Sequence, residues 1–203
     1  MAYNPRRREG LMKRTALCLA VCALSFSVGG SPVVAQSGWT TLLEGSSMKG
    51  WNVVGDANWE VADKAVQANK GNGFLVTPAQ YGDFQLTAEF WVTDDANSGI
   101  FIRCEDPKTI NATNAYEVNI FDKRPDQSYR TGAIVDVAKP ASVVMTGGKW
   151  NTMDITAKGT KLTVLVNGMK MVDVDDTRHT KGNIALQYGA GTVKFRNVRL
   201  RTL

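Results

Sequence analysis

Two carboxylates and a guanidinium alternate with apolar side chains in the middle of the sequence. Glu89, Arg103 and Glu117 each stand in a run that is apolar at every second position. Successive side chains of a β-strand point to opposite faces, so each run has one apolar face and one charged face. If the three strands share a core, the opposite faces also gather Trp91 and Phe101. Such a surface could stack against a sugar and transfer protons.

Three predicted strands position these side chains, over residues 84–92, 100–104 and 116–121. Residues 94–99, Asp-Asp-Ala-Asn-Ser-Gly, are rich in turn formers and predict that the chain turns back after the first strand. Alternation puts Cys104 on the apolar face with Ile100 and Ile102, where a small buried thiol is the common outcome. The alternative interpretation is that the arginine only forms a cross-strand salt bridge, which would contribute little.

The remaining sequence after residue 35 reads as short strands separated by turn signals. No window keeps the i, i+3, i+4 apolar pattern for three turns, so helix should be minor. Asn167-Gly168 stands between two alternating runs and predicts a type I′ hairpin. The predicted fold class is all-β, an antiparallel two-sheet jelly-roll sandwich.

The first 35 residues predict a secretory signal peptide. A basic start is followed by an apolar stretch, residues 16–28, and by Val33-Val34-Ala35 before Gln36. The apolar stretch is too short to span a membrane, so we expect cleavage near Ala35. The expected location is secreted or periplasmic, and residues 36–203 are expected to form one domain. Met12 is a second candidate start. Twin-arginine export and lipidation at Cys22 are less favoured alternatives.

Removal of the signal peptide changes the charge and the cysteine count. Of 24 Lys and Arg, five lie in residues 1–35, as does one of 19 Asp and Glu, which leaves 19 cations and 18 anions. The high isoelectric point therefore gives no support for nucleic-acid binding. Cys104 becomes the single cysteine and cannot form an internal disulfide.

Several functional motifs are absent from the sequence. There is no phosphate-binding loop, dinucleotide fingerprint, nucleophile elbow or His/Cys metal spacing, so we expect no cofactor and no metal. His179 reads as a solvated loop histidine. The acidic residues at 173, 175 and 176 could gather a hard cation but fit the end of a hairpin better.

Runs spread over the chain resemble the 3-keto-disaccharide hydrolase domain family. They follow that family's order with compatible spacing, although Glu44 and Val135 stand where it usually has an asparagine and an aromatic residue. The runs are Trp39, Leu42-Leu43, Gly50-Trp51, Tyr81-Gly82-Asp83-Phe84-x-Leu86, Glu89-Phe90, Asn97-Ser98-Gly99-Ile100, Arg103, Tyr116-Glu117-Val118, Asp122, Thr131-Gly132-Ala133, Trp150-Asn151, Asn167-Gly168, Gly182, Ile184-x-Leu186-Gln187 and Phe195-Arg196-Asn197.

The resemblance implies a concanavalin A-like jelly roll that acts on glycosides whose sugar carries a 3-keto group. The ketone acidifies the C2 hydrogen, so the glycosidic bond can break by proton abstraction, elimination and hydration. Glu89 and Glu117 are the expected base and acid, in either order, and Arg103 is the group expected to stabilise the enolate. The expected substrate-binding residues are Trp91, Asn97, Asn119, Asp122 and Gln187.

Other functions remain open from the sequence. The same carboxylate pair could hydrolyse an ordinary glycoside. A non-catalytic, lectin-like carbohydrate-binding module would use the same fold and face, since a fold does not determine a function. A structural envelope protein would bind no saccharide. For every candidate function except the structural one, the expected partner is a carbohydrate.

Overall fold

The computed structural model describes residues 1–3 and 38–203. Contacts divide the chain into two units, residues 1–34 and 35–203, and the strands belong to the second. The predicted signal peptide, residues 1–35, falls almost wholly outside the described residues. No helix in the described ranges is long and apolar enough to cross a membrane.

Thirteen β-strands and a single turn of 3₁₀ helix, Gln127–Tyr129, make up the described fold. The strands are β1 (Thr40–Leu43), β2 (Asn52–Gly55), β3 (Glu60–Ala62), β4 (Ala65–Ala68), β5 (Gly73–Val76), β6 (Phe84–Val92), β7 (Asn97–Cys104), β8 (Tyr116–Ile120), β9 (Trp150–Lys158), β10 (Lys161–Val166), β11 (Met169–Asp175), β12 (Asn183–Ala190) and β13 (Val193–Thr202).

The strands form two antiparallel sheets. The eight-stranded sheet has the order β11-β10-β9-β6-β13-β4-β3, with β1 also paired to β13. The five-stranded sheet has the order β2-β5-β12-β7-β8. The predicted fold class, an all-β jelly-roll sandwich, is confirmed.

Alternating burial shows how the two sheets make one core. In β6 every second residue from Phe84 to Val92 is buried, and the intervening ones are partly exposed. The buried side of β6 joins Ile100 and Leu186 of the five-stranded sheet in a single hydrophobic cluster. Each fully buried side chain of this size stabilises the fold by roughly 1.5–3 kcal/mol.

The predicted hairpin at Asn167-Gly168 is confirmed. Strands β10 and β11 pair antiparallel, with Val166 opposite Met169. Asn167 has φ 53° and Gly168 has φ 77°. Positive φ at both central residues is the type I′ geometry, whose twist matches that of the flanking strands.

The three central strands share one core but lie in two different sheets, so the expected gathering of their charged faces is wrong. Strand β6 pairs with β9 and β13 in the eight-stranded sheet, whereas β7 pairs with β8 and β12 in the five-stranded sheet. Residues 93–96 therefore cross between sheets. Both sheets of a sandwich turn their apolar sides to the same core, so alternation gives the face of a strand but not its sheet.

The predicted positions of Arg103 and Cys104 are also wrong. Arg103 has φ 53°, and the four residues of β7 from Phe101 to Cys104 lie opposite three residues of β12, Asn183 to Ala185. This irregularity reverses the alternation. Cys104 is buried with Phe101 on the outer face of the five-stranded sheet. Burial raises the pKa of its thiol to about 12, so it is not a thiolate nucleophile at neutral pH.

Candidate functional site

The outer face of the five-stranded sheet carries two rows of paired residues. One row is mainly apolar but ends in a carboxylate; the other has an amide on either side of a glycine. The first row is Asn52, Val76, Ala185, Phe101 and Glu117. The second row is Val54, Phe74, Gln187, Gly99 and Asn119.

Gly99 leaves a gap among three polar side chains. A methyl group on this glycine would lie 3.4 Å from Gln187 Oε1 and 3.6 Å from Glu117 Cγ. Asn119 is the direct cross-strand partner of Gly99. Because no side chain fills the gap, the carboxylate and the two amides face the same small space.

Two amide oxygens in this face lack hydrogen-bond donors. Gln187 Oε1 and Asn119 Oδ1 are buried and have no partner within the described part of the chain. The amide nitrogen of Asn119 is occupied, because it donates to the carbonyl of Tyr129. A buried acceptor without a donor costs about 1–3 kcal/mol, which a hydroxyl-bearing ligand would recover.

Glu117 combines partial burial with a free carboxylate. No hydrogen bond reaches its oxygens from any described residue. Burial raises the pKa of Glu117, the charge of Asp136 raises it further, and the charge of Arg124 opposes both. A carboxylate with a raised pKa is a stronger base than an ordinary one, which suits it to proton abstraction.

The segment between β8 and β9 brings a guanidinium to this face. Arg124 lies over the ring of Tyr129, 5.1 Å from its centre. The Tyr129 hydroxyl donates to Asp136 Oδ1 at 2.9 Å. This segment also pairs with β8, since Val135 N–H donates to the carbonyl of Glu117 at 3.0 Å.

Asp122, a predicted substrate-binding residue, holds this segment together. Its carboxylate accepts hydrogen bonds from Thr131 Oγ1 at 2.6 Å, Thr146 Oγ1 at 2.8 Å and Gly147 N at 3.1 Å. It is 4% exposed. These bonds fix both ends of the loop that carries Arg124, so Asp122 can position the site but does not face a ligand.

Asn97, another predicted substrate-binding residue, lies at the start of β7 on the same face as Gly99. A methyl group on Gly189 would lie 2.9 Å from Asn97 Nδ2. Gly189 is two residues after Gln187 in β12. Asn97 thus extends the polar face beside Gln187. The structure therefore gathers four predicted site residues: Asn97, Glu117, Asn119 and Gln187.

Glu89 and Trp91 lie elsewhere, on the outer face of the eight-stranded sheet. Glu89 accepts from Arg196 Nε at 2.7 Å and from Asn197 Nδ2 at 2.8 Å. Partial burial acts to raise the pKa of Glu89, but the bonds from Asn197 and Arg196 outweigh it and lower the pKa. Lys194 Nζ lies 5.3 Å from the centre of the Trp91 ring. The predicted convergence of Glu89 and Trp91 with Glu117 is wrong.

Arg103 is a buried structural residue, only 1% exposed. Its guanidinium donates to the carbonyls of Gly82, Gly159 and His179 at 2.9–3.0 Å and to Asp83 Oδ1 at 3.1 Å. It therefore joins three loops, and the predicted contact with an enolate is not possible from this position. The reason is the reversed alternation at the end of β7.

His179 is buried as well, contrary to the sequence prediction of a solvated residue. It is 4% exposed, and its Nδ1 lies 2.9 Å from Glu105 Oε1. The acidic residues at the hairpin end are paired with cations: Asp175 with Lys161 at 2.8 Å, Asp173 with Lys170 at 2.9 Å and Asp176 with Arg178 at 3.1 Å. No group of three or more His, Cys, Asp or Glu in residues 1–3 and 38–203 could hold a metal ion.

The model of the 3-keto-alpha-glucoside-1,2-lyase-like domain family matches residues 38–201. The chain belongs to this family. None of the curated proteins shows significant sequence similarity to it. The predicted resemblance is thus confirmed across the whole sandwich.

Solved structures similar to this lyase-like domain share its sandwich. A glycosyl hydrolase candidate from Parabacteroides distasonis ATCC 8503 is 20% identical, with a TM-score of 0.74 over 82% of this chain and 94% of that one. A second candidate from the same organism is 25% identical, with a TM-score of 0.70 over 81% and 99%. The carbohydrate-binding module CBM66 from Bacillus subtilis is 19% identical, with a TM-score of 0.62 over 75% and 96%.

Three residues of the lyase-like domain site were not found by sequence reasoning. Arg124 follows β8 in an irregular segment, and nothing in its local pattern indicates that it approaches Glu117. Phe74 is partly exposed beside Gln187, with its ring 5.3 Å from that of Phe101 in an edge-to-face contact. Tyr129 lies in the same segment as Arg124. Only the tertiary structure brings this segment and the Phe74 strand together with Glu117.

Proposed function

We propose that the outer face of the five-stranded sheet binds a 3-keto-glycoside and that Glu117 cleaves its glycosidic bond. The observation that supports this proposal is the position of an unpaired carboxylate with a raised pKa beside two amide oxygens that lack donors. Membership in the lyase-like family supports the same substrate class. The ring hydroxyls would donate to Gln187 and Asn119, and Phe74 would offer an apolar surface to the ring.

The reaction follows from the acidity that the ketone gives to the C2 hydrogen. Glu117 removes this proton, and the C–H electron pair forms the enolate of the C3 ketone. The enolate then expels the C1 oxygen and leaves a C1=C2 double bond conjugated with the ketone. The protonated Glu117 can return its proton to the departing oxygen. Water then adds its hydroxyl to C1, and C2 takes up a proton from water, which gives the free 3-keto sugar.

The cation expected to stabilise the enolate is Arg124 rather than Arg103. Arg124 is the guanidinium whose charge acts on Glu117, whereas Arg103 is committed to Asp83 and to loop carbonyls. A guanidinium near a developing oxyanion is worth several kcal/mol where water is partly excluded. Asp136, the second carboxylate near Glu117, makes ordinary two-carboxylate hydrolysis the rival mechanism.

The decisive experiment measures turnover of a chromogenic 3-keto-glucoside by the parent and by Glu117→Gln. The glutamine keeps the shape of the side chain but cannot take a proton, so turnover should fall by about 10²–10⁴-fold while sugar binding persists. Glu44→Gln is the matched control, because Glu44 is exposed and outside the site. Full activity of Glu117→Gln would remove Glu117 from the mechanism.

The isotope content of the product separates elimination from direct hydrolysis. In D₂O, the proposed route places deuterium at C2 of the released sugar, because water and the base exchange that proton. Two-carboxylate hydrolysis leaves the C2 hydrogen in place. The released sugar incubated in D₂O without protein corrects for spontaneous exchange.

A non-catalytic carbohydrate-binding role is the second candidate. The similarity of the fold to a carbohydrate-binding module and the single unpaired carboxylate in the face favour it. This role predicts that calorimetry detects saccharide binding by the parent and that no reducing sugar is released. Binding without turnover of any 3-keto-glycoside would establish it over the lyase proposal.

We further propose that the chain is exported and cleaved before Gln36. The support is the basic start followed by an apolar stretch and Val33-Val34-Ala35. Intact mass of the protein recovered from the periplasm or the medium should correspond to a chain that begins at or near Gln36. A full-length species, or a lipid adduct on Cys22, would contradict the proposal.

A further inference from the structure

The outer face of the eight-stranded sheet carries a row of cations along β13. The pairing register shifts between Arg196 and Arg199, where Asn197 has φ 51°. This shift moves the alternation by one residue, so the cations before it and the cations after it all face outward. At about 3.3 Å per residue, the row extends for roughly 23 Å. This basic strip consists of Lys194, Arg196, Arg199 and Arg201.

Tryptophan rings lie against the cations of the basic strip. Arg196 Cζ is 3.9 Å from the centre of the Trp150 ring, the shortest such contact in the described residues. Arg199 and Arg201 lie 5.9 Å and 5.2 Å from the centre of the Trp39 ring. Cation–π contacts hold the long side chains in place, so less conformational entropy remains to be lost on binding an anion.

The charges of the strip are only partly neutralised. Arg196 is paired with Glu89 at 2.7 Å. Arg199 and Arg201 are exposed and form no salt bridge with any described carboxylate; Arg201 Nε donates instead to Gln85 Oε1 at 2.6 Å. Two neighbouring guanidiniums therefore keep most of their hydrogen-bond donors free for a ligand anion.

A cleft of about 270 Å³ is lined by Trp39, whose ring lies near Arg199 and Arg201, and by Gln85, which accepts from Arg201. Thr156 and Asp154 also line this cleft. An indole face with both donors and acceptors suits a sugar ring with hydroxyl groups.

We propose that the basic strip and the Trp39 cleft bind an acidic polysaccharide that bears uronate groups. Carboxylates of successive uronates accept from Arg199 and Arg201, and a ring lies against Trp39 with its hydroxyls on Thr156 and Asp154. This surface is on the opposite sheet from Glu117 and is independent of the chemistry proposed there. It would hold the domain on an anionic polymer while the other face remains accessible.

The test compares binding to polygalacturonate and to neutral dextran by affinity gel electrophoresis. The parent should be retarded by polygalacturonate and not by dextran, and salt should weaken the retardation. Arg199→Gln/Arg201→Gln should weaken polygalacturonate binding about tenfold or more, because two charge-assisted contacts are lost. Trp39→Ala should weaken it too.

The controls distinguish this surface from general charge effects and from the Glu117 face. Lys108→Gln/Lys181→Gln removes the same charge at exposed positions off the strip and should bind like the parent. Glu117→Gln should also bind like the parent. The proposal is overturned if the parent does not bind polygalacturonate. It is also overturned if Arg199→Gln/Arg201→Gln binds polygalacturonate as tightly as the parent and has an unchanged melting temperature. Equal affinity for single-stranded DNA or phosphatidylglycerol vesicles would overturn it as well.

Discussion

Glu89 and Glu117 lie on the outer faces of different sheets, with the hydrophobic core between them. Packed sheets are about 10 Å apart, and both side chains point away from the partner sheet. Two carboxylates that cooperate on one glycosidic bond are typically separated by about 5–9.5 Å. A single sugar therefore cannot contact both, and the two residues have different roles.

Glu89→Gln should reduce stability and leave activity unchanged. The substitution removes the ion pair with Arg196 at 2.7 Å, whose two side chains are each 32% exposed. Solvent screens such a pair, so we expect a loss of about 0.5–1 kcal/mol, seen as a drop of about 1–4 °C in melting temperature. Thermal unfolding and turnover of the same preparation check this. A tenfold loss of turnover without destabilisation would contradict it.

The pH profile of turnover should report the environment of Glu117. Burial, the largest cause, and Asp136 raise its pKa, so activity should rise with pH through a midpoint above the ordinary glutamate value of about 4.3. Asp136→Asn should move the midpoint down, because it removes a charge that disfavours ionisation. Arg124→Gln should move it up. Shifts in the reverse directions would exclude Glu117 as the titrating base.

Glu117→Gln should be at least as stable as the parent at neutral pH. The folded-state pKa of Glu117 is raised, so the folded protein binds more protons than the unfolded chain between the ordinary and the raised value. The stabilisation from the protonated form is present below the unfolded pKa and is lost as pH rises through the folded pKa. Melting temperatures should therefore converge at acid pH. A less stable variant at pH 7 would show that the carboxylate has a stabilising partner.

Arg103→Lys should be strongly destabilising although the charge is kept. An ammonium cannot reach the carbonyls of Gly82, Gly159 and His179 together with Asp83, so buried acceptors lose their donors. We expect a loss of roughly 3 kcal/mol in urea unfolding. Arg178→Lys, at a partly exposed pair with Asp176, is the control and should cost less than about 1 kcal/mol. Turnover per folded molecule should be unchanged by either substitution.

Gly99→Ala should weaken sugar binding more than it weakens the fold. The added methyl would lie 3.1 Å from the Val118 carbonyl oxygen and would fill the gap beside Gln187 and Glu117. Calorimetry should show affinity for the saccharide reduced about tenfold, with a stability loss near 1 kcal/mol. Gly82→Ala adds a methyl 3.7 Å from the Thr180 carbonyl oxygen, an ordinary contact, and should change neither. Unchanged binding by Gly99→Ala would mean that the ligand does not enter this gap.

Several features of the protein followed from the sequence because they depend on local chemistry. Alternating burial in β6 and the Asn167-Gly168 turn each depend on a few adjacent residues. The outward direction of Glu117, Asn119 and Gln187 was predictable in the same way, because alternation along a strand fixes the side of the sheet on which each side chain lies. The all-β class and the family were therefore predictable.

The tertiary structure decided which of these faces meet. A strand turns every second, apolar residue toward the core whichever sheet it belongs to. The sequence therefore could not show that Glu89 and Glu117 lie on different sheets. Nor could it show the irregularity at Arg103, because a single residue in the left-handed region reverses the alternation without changing the apolar pattern. The approach of Arg124 to Glu117 depends on how a long loop is fixed by the buried carboxylate of Asp122, and such contacts between distant residues have no local signal.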